Sequence, residues 1–301
     1  MLDSFEEQVH GPLSRRVPSV PGAAVTFRGR AGVAAGVLPY YPHVTRVVHL
    51  AAVVGVGQSQ HQLARYVDRN VLDTAKLLEA CGEHGIEQLV VASSMSIYGE
   101  GAYGCPRCCR ETVPVLRRQA DVRKGTWDVR CTCGCPYTFS LPTPEDRQLL
   151  PSSVYAVTKR DQEELCLVWG AATGTSTTAL RFFNVYGEGQ ALGNPYTGAA
   201  AIFATRVLND LPPLLFEDGQ QERDFVHVSD VVRGILAALD QPEQAAGQAI
   251  NLGTGEGTTV SELALFVAQA LGSDLEPVIT GQYRSGDVRH CVADTRRAGQ
   301  Q

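Results

Sequence analysis

The sequence predicts an α/β protein built on a mostly parallel, doubly wound sheet, with a smaller C-terminal region set against it. Three observations predict it. The runs RVVHLAA (46–52), LVVASS (89–94) and TTALRFFN (177–184) are short and apolar or β-branched, as strands buried on both faces are. Stretches with helical spacing separate them, so parallel strands are joined by crossovers. Small and hydroxyl residues follow the strands, in AAVVGVGQS (51–59) and at Ser93 and Ser94. They allow close backbone approach and hydrogen bonding at the carboxyl edge of the sheet, where such folds bind ligands.

Taken in order, the beginning is unusual. A dinucleotide-binding sheet opens with a strand, a Gly-rich turn and a helix whose N-terminus receives a pyrophosphate. Residues 1–50 offer no such unit: Gly29, Gly32 and Gly36 of FRGRAGVAAGV (27–37) fit no dinucleotide spacing and read as loop. The RVVHLAA strand and its small-residue loop follow. Leu63, Val67, Val71, Ala75 and Leu78 then predict a helix over 62–81 that packs on the sheet. After LVVASS, residues 101–149 form an insertion, and PSSVYAVTKR (151–160) opens the next helix. TTALRFFN leads into the turn-rich segment 184–198, and DGQQERDFVHVSDVV (218–232) returns to a helix capped near Ser229. The run GTGEGTTVSELA (253–264) carries a Thr259/Glu262 capping box but no Lys of a nucleotide loop. QYRSGDVRHCVADT (282–295) gathers Arg284, Asp287 and Arg289.

Composition narrows the class. At 301 residues, 44% hydrophobic and 19% charged, the chain has the make-up of an ordinary globular protein of one large or two smaller domains. A net charge of −6 argues against broad binding to nucleic acid or anionic membrane. No run approaches the roughly 18 apolar residues of a membrane span, and the acidic start MLDSFEEQVHG has no signal-peptide character, so a cytoplasmic site is expected.

The first chemical signal is the pair Tyr155 and Lys159, four apart and so on one helical face. A phenol titrates near pH 10 and is a poor base at neutrality; a nearby ammonium favours the phenolate. Such pairs also occur on helices that do no chemistry, but here Ser94 at a strand end supplies a hydroxyl for the same reacting oxygen. The insertion carries the second signal. Six of the nine cysteines crowd into CPRCC (105–109) and CTCGC (131–135). Cys105 and Cys108 form a C-x-x-C knuckle; Cys131, Cys133 and Cys135 are spaced irregularly, one or three residues apart, and Cys131 and Cys133 are taken from them as the second pair of a structural zinc site, with reduced unliganded thiols as the alternative. Such a site would be saturated with sulfur and have no catalytic position. The basic stretch RRQADVRK (117–124) reads as a solvated loop.

The Ser-rich strand end, the Y-x-x-x-K helix, VVHLAA, RFFNVYG (181–187), RDFVHVSDV (223–231) and NLGTG (251–255) together resemble the NAD-dependent epimerase/dehydratase family of extended short-chain dehydrogenases/reductases, nearly end to end. The resemblance implies a Rossmann-type sheet binding NAD, a sugar-nucleotide substrate, and a homodimer formed through helices flanking the sheet, the Tyr155 helix among them. It divides the chain into a cofactor domain (1–183, containing the insertion) and a sugar-nucleotide region (184–301), part of which returns to the first. By it Tyr155 is the base, Ser94 bonds the reacting oxygen, and Lys159 holds the nicotinamide ribose. Asp3 meets the adenosine ribose, and Leu50, Ala51, Ala52, Asn70 and Ser93 complete the cofactor contacts. Asn184, Arg223 and Arg289 meet the sugar and its diphosphate. Two departures stand out. Arg30 takes the place of the family's Asp near the adenine, and the chain reads as beginning after the family's first strand and phosphate loop, as if truncated. Family dehydratases carry Asp and Glu directly after the Ser/Thr; Met95 and Ser96 stand there, so epimerisation by transient oxidation is expected. A decarboxylase or reductase, or an impaired fragment, is the alternative.

Overall fold

Four parallel strands form the main sheet, in the order Ala249–Leu252, Ser176–Phe182, Gln88–Ser94, Arg46–His49. The computed structural model describes residues 1–4, 6–10, 27–112, 116–191 and 198–300, so residues 192–197 of the turn-rich segment lie outside the described residues. The middle strands lack polar alternation because helices cover both faces. Val90, Leu180 and Ile250 share one core with Val231 and Ala238 of the helix Val228–Asp240. Leu89, Val91 and Ala179, pointing the other way, share a second with Leu78 and Cys166. Each fully buried Leu or Val contributes about 1.5–3 kcal/mol.

The expected helix over 62–81 is divided. Leu63–Tyr66 is α-helical, Val67–Leu72 is a π turn, and Asp73–His84 resumes the α geometry. The wide turn carries Asn70, which is wholly buried; such bulges are frequent at functional sites. The helix Val154–Thr173 begins where Ser153 Oγ accepts from Ala156 N (3.1 Å) and ends at Gly174, whose φ of 77° suits glycine. The Thr259/Glu262 capping box is formed. The helix expected to be capped near Ser229 is capped instead by His227, whose ring accepts from Ser229 N.

A second sheet, Thr258–Thr259, Glu222–Arg223, His290–Ala293, Phe139–Thr143, Ala102–Gly104, joins two strands of the 101–149 insertion to three C-terminal ones. The insertion is therefore stitched into the C-terminal region. Three short parallel pairs remain: Leu2–Asp3 with Phe27–Arg28, Asn184–Tyr186 with Phe225–His227, and Leu214–Leu215 with Val278–Ile279. No described helix is long and apolar enough to cross a membrane.

Candidate active site

Two cavities open along the carboxyl edge of the main sheet. The larger, about 800 Å³, lies between the Leu2–Asp3 pair of strands and the edge strand Arg46–His49, and Asp3, Arg30, Leu50, Ala51 and Ala52 line it. The smaller, about 530 Å³, is lined by Ser94, Ser96, Tyr155, Asn184 and Arg223 among others. Val9, Ala52 and Val54 line both, so the two are contiguous.

Ser94 ends its strand and caps the following turn, its Oγ accepting from Ser96 N (3.2 Å) and Ser96 Oγ (2.9 Å). Tyr155, in the first turn of its helix, meets the buried Tyr66 ring edge to face with centroids 6.4 Å apart. Tyr66 is itself fixed, donating its hydroxyl to Val54 O (2.8 Å) and Gly55 O (2.9 Å). This positions the Tyr155 ring against the loop that separates the cavities. Nothing in the local sequence marked Tyr66 for that work.

Lys159 behaves differently from expectation. Its ammonium donates to Ala92 O (2.5 Å) and Gln162 Oε1 (2.6 Å), and it lines neither cavity. Gln162 Nε2 lies 2.8 Å from His49 Nε2 and 2.9 Å from Thr74 Oγ1, in a wholly buried polar chain. Burial holds the His49 imidazole down at about 3, so it is neutral. The expected lowering of the Tyr155 phenol is absent: burial pushes it up, and only the Ser94 hydroxyl opposes. The sequence placed the ammonium on the correct helical face, but a strand carbonyl and Gln162 claim its protons.

Burial lowers the Lys159 amine from 10.5 to about 8. Between those two pH values the unfolded chain holds a proton that the folded one has shed, so stability rises with pH across that window. The cost of the buried charge is full below about 8 and gone above about 10.5. Lys159→Met should remove this share of the rise, on the order of 3 kcal/mol, when urea unfolding of both proteins is followed across the window. Parallel stability profiles for the two would contradict it.

The sequence and the fold match a known family. The family model described as NAD dependent epimerase/dehydratase family matches residues 37–117 and 129–253. The chain belongs to that family. Among epimerase/dehydratase relatives, it is 37% identical over 302 residues to the dTDP-L-rhamnose 4-epimerase of Burkholderia thailandensis, an alignment covering 98% of this chain and 80% of that protein. Among solved structures, it superposes on MoeE5 in complex with UDP-glucose and NAD with a TM-score of 0.73 at 31% identity, covering 95% of this chain and 81% of that one. The UDP-glucose 4-epimerase of Thermus thermophilus, complexed with NAD, gives 0.73 at 29% identity over 96% and 82%.

Measured against the contacts expected from the family, several residues are placed elsewhere. Ser93 is buried and donates to Glu163 Oε2 (2.5 Å), because its side chain points into the helix-covered face and away from the cavities. Asn70 accepts from Val53 N (2.7 Å) and donates to Val53 O (3.0 Å) and Thr158 Oγ1 (3.0 Å), tying the cavity loop to the Tyr155 helix. Its side chain thus holds the loop and lines neither cavity. Arg289 is sequestered: 3% exposed, it donates to Asp128 Oδ1 (2.9 Å), Asp218 Oδ1 (2.6 Å) and Glu217 Oε2 (3.3 Å), and so has no face toward a phosphate. Arg284, grouped with it in the sequence, instead stacks over the Phe216 ring at 4.3 Å. Arg223 does line the smaller cavity, oriented by Asp287 Oδ1 (3.1 Å) and Arg289 O (2.9 Å). Asn184 lines it too, with a buried Oδ1 that has no hydrogen-bond partner among the described residues. Arg30 lines the larger cavity and is held by Asp73 and Asp68 at 2.7 and 2.6 Å. The basic stretch expected to be solvated contributes Arg117, which is buried among Glu100 Oε1 (2.8 Å), Glu217 Oε1 (2.8 Å) and Asp287 O (2.7 Å).

Proposed function

We propose that the chain is an NAD-dependent nucleotide-sugar 4-epimerase that interconverts dTDP-L-rhamnose and dTDP-6-deoxy-L-talose. The observation that carries the reaction class is the convergence of Ser94, Tyr155, Asn184 and Arg223 on one cavity contiguous with a second of dinucleotide scale. The sugar rests on the relative from Burkholderia thailandensis. The larger cavity fits NAD: small residues Ala51 and Ala52 admit close approach, and Asp3 stands at its far side as a ribose acceptor. NAD, when bound, accepts hydride from the sugar carbon and returns it to the opposite face.

The chain's own groups do the rest. Tyr155, once ionised, takes the proton from the sugar hydroxyl and later gives it back. Ser94 hydrogen-bonds that oxygen as it becomes a carbonyl. Lys159, freed from Gln162, reaches the nicotinamide ribose and supplies the positive charge that lowers the phenol. Arg223 holds the diphosphate with its planar fork, and the unpartnered Asn184 Oδ1 accepts from a substrate hydroxyl. Dehydration lacks its acid and base, since Ser96 is bonded to Ser94 and Met95 is apolar. The cysteine cluster lines neither cavity and is given no step; structural zinc there belongs to the folding of the insertion.

Two further readings accompany this one. The Tyr155 helix exposes Val157, Leu165 and Val168 along one face, at 38%, 36% and 69%, which supports a homodimer built on that helix. All nine cysteines are unpaired, which supports a cytoplasmic site, where thiols stay reduced.

The test is incubation of dTDP-L-rhamnose with NAD-saturated protein, followed by NMR of the sugar. Two C4 epimers at equilibrium, with no net NADH and with C4 deuterium retained, are expected. Carbon dioxide release or stoichiometric NADH consumption would move the assignment to a decarboxylase or reductase. Failure to bind NAD in a calorimetric titration would remove the cofactor half of the reading.

A further inference from the structure

We propose that Cys105, Cys108, Cys131 and Cys133 bind one zinc ion tetrahedrally, and that this ion holds the insertion against the substrate cavity. The four Sγ atoms all lie within 4.8 Å of one another, with Cys105 and Cys133 3.6 Å apart and Cys108 and Cys131 3.7 Å apart. Zinc bonded to thiolates at about 2.3 Å sets tetrahedral sulfurs about 3.8 Å apart. The thiols are therefore already near ligand spacing, and far outside the roughly 2.0 Å of a disulfide bond.

The backbone around them supports the same reading. The turns are tight: Cys109 N donates to Cys105 O (2.9 Å), and Gly134 N to Cys131 O (3.0 Å). The remaining two cysteines of the insertion give their thiols to backbone carbonyls, Cys109 to Pro106 O (3.7 Å) and Cys135, which packs against Cys105 and Cys131, to Tyr137 O (3.3 Å). Cys109 is also exposed. That resolves the irregular spacing of CTCGC in favour of its first two thiols. All four ligands are sulfur, which leaves no open position and matches structural zinc more closely than magnesium or calcium.

The insertion needs such a staple. Between the strands Ala102–Gly104 and Phe139–Thr143, its described helix is the single turn Gln119–Val122, and Val122 and Val129 are the buried aliphatic side chains besides the cysteines. A segment of that size rarely builds a sufficient core unaided. Yet it delivers Arg117 and Asp128 to the C-terminal region. Arg117 binds Asp287 O and Glu217, and Asp128 binds Arg289. Asp287 and Arg223, which it orients, line the substrate cavity. The ion thus sits at one end of a chain of contacts whose other end is the diphosphate side of the site. Only this second half rests on the epimerase reading.

Metal analysis of the purified full chain, expressed with zinc supplied, should give one zinc per chain. Cobalt(II) in its place should show the intense visible bands and thiolate charge-transfer absorption of a tetrahedral sulfur site. Cys108→Ser and Cys131→Ser should each abolish that spectrum, and Cys109→Ser and Cys135→Ser should keep it. Should the serine variants fail to fold, titration of the wild type with an organomercurial thiol reagent in the presence of a zinc indicator should release the ion as four thiols react. Less than a tenth of a zinc per chain, or a cobalt spectrum indifferent to Cys108 and Cys131, overturns the site. For the coupling, zinc removal should raise the KM for the nucleotide sugar at least about 10-fold while NAD affinity changes less than about 3-fold, shifts of roughly 1.4 and 0.6 kcal/mol. Unchanged KM with confirmed zinc loss overturns the coupling alone and leaves the epimerase reading standing.

Discussion

Tyr155→Phe is expected to lower the turnover of the nucleotide sugar by about 10²–10⁴-fold, the usual worth of a positioned acid–base group. The expectation follows from geometry. The phenol shares one cavity with Ser94, whose hydroxyl is the group that opposes the rise burial gives the phenol's pKa. Removing one oxygen leaves the edge contact between the ring and Tyr66 in place, so thermal unfolding and NAD affinity should change little. The effect should fall on kcat with KM nearly constant, because the lost interaction belongs to proton transfer. The check is steady-state kinetics of wild type and variant beside an NAD titration of each. A rate within about a factor of ten of wild type would assign the proton transfer to another group.

Glu163→Ala should cost stability on the order of 3–5 kcal/mol, the typical loss when one member of a buried ion pair is removed. Glu163 and Arg181 meet at 2.6 Å with side chains 3% and 6% exposed. Arg181 also donates to Tyr98 Oη (2.8 Å) and Glu145 O (2.7 Å), and its guanidinium lies 5.0 Å from the Tyr98 ring centre. The carboxylate raises the Arg181 pKa further, so the cation stays charged at any working pH and keeps its cost once unpaired. Since domains are typically stable by about 5–15 kcal/mol, the variant should unfold at much lower urea concentration. Replacing both residues by apolar ones of similar volume should recover part of the loss. A drop of under about 1 kcal/mol would mean that the pair is solvated in solution.

The main sheet was legible because both faces of its middle strands are covered: LVVASS and TTALRFFN carry no alternation to misread. Ser94 and Tyr155 were legible for a related reason, as each is fixed by local structure, a strand end and a capped first helical turn. Arg289 and Lys159 were not. Long side chains choose partners by where carboxylates and carbonyls come to lie, and Asp128, Glu217 and Ala92 are distant from them in sequence. The same holds for Ser93, whose place on the covered face depends on strand register, and for Asn70, which a π turn carries inward.

By itself the sequence determined the α/β class, the strand runs, the capping box at Thr259 and the Cys105/Cys108 knuckle, because these depend on periodicity, burial pattern and short-range spacing. Only the tertiary structure decided that the insertion shares a sheet with the C-terminal strands, that Arg117 is buried, and which arginine faces the cavity. Those outcomes depend on charges brought together across many residues of chain, where the cost of burying an unpaired cation selects the partner and local sequence carries no record of it.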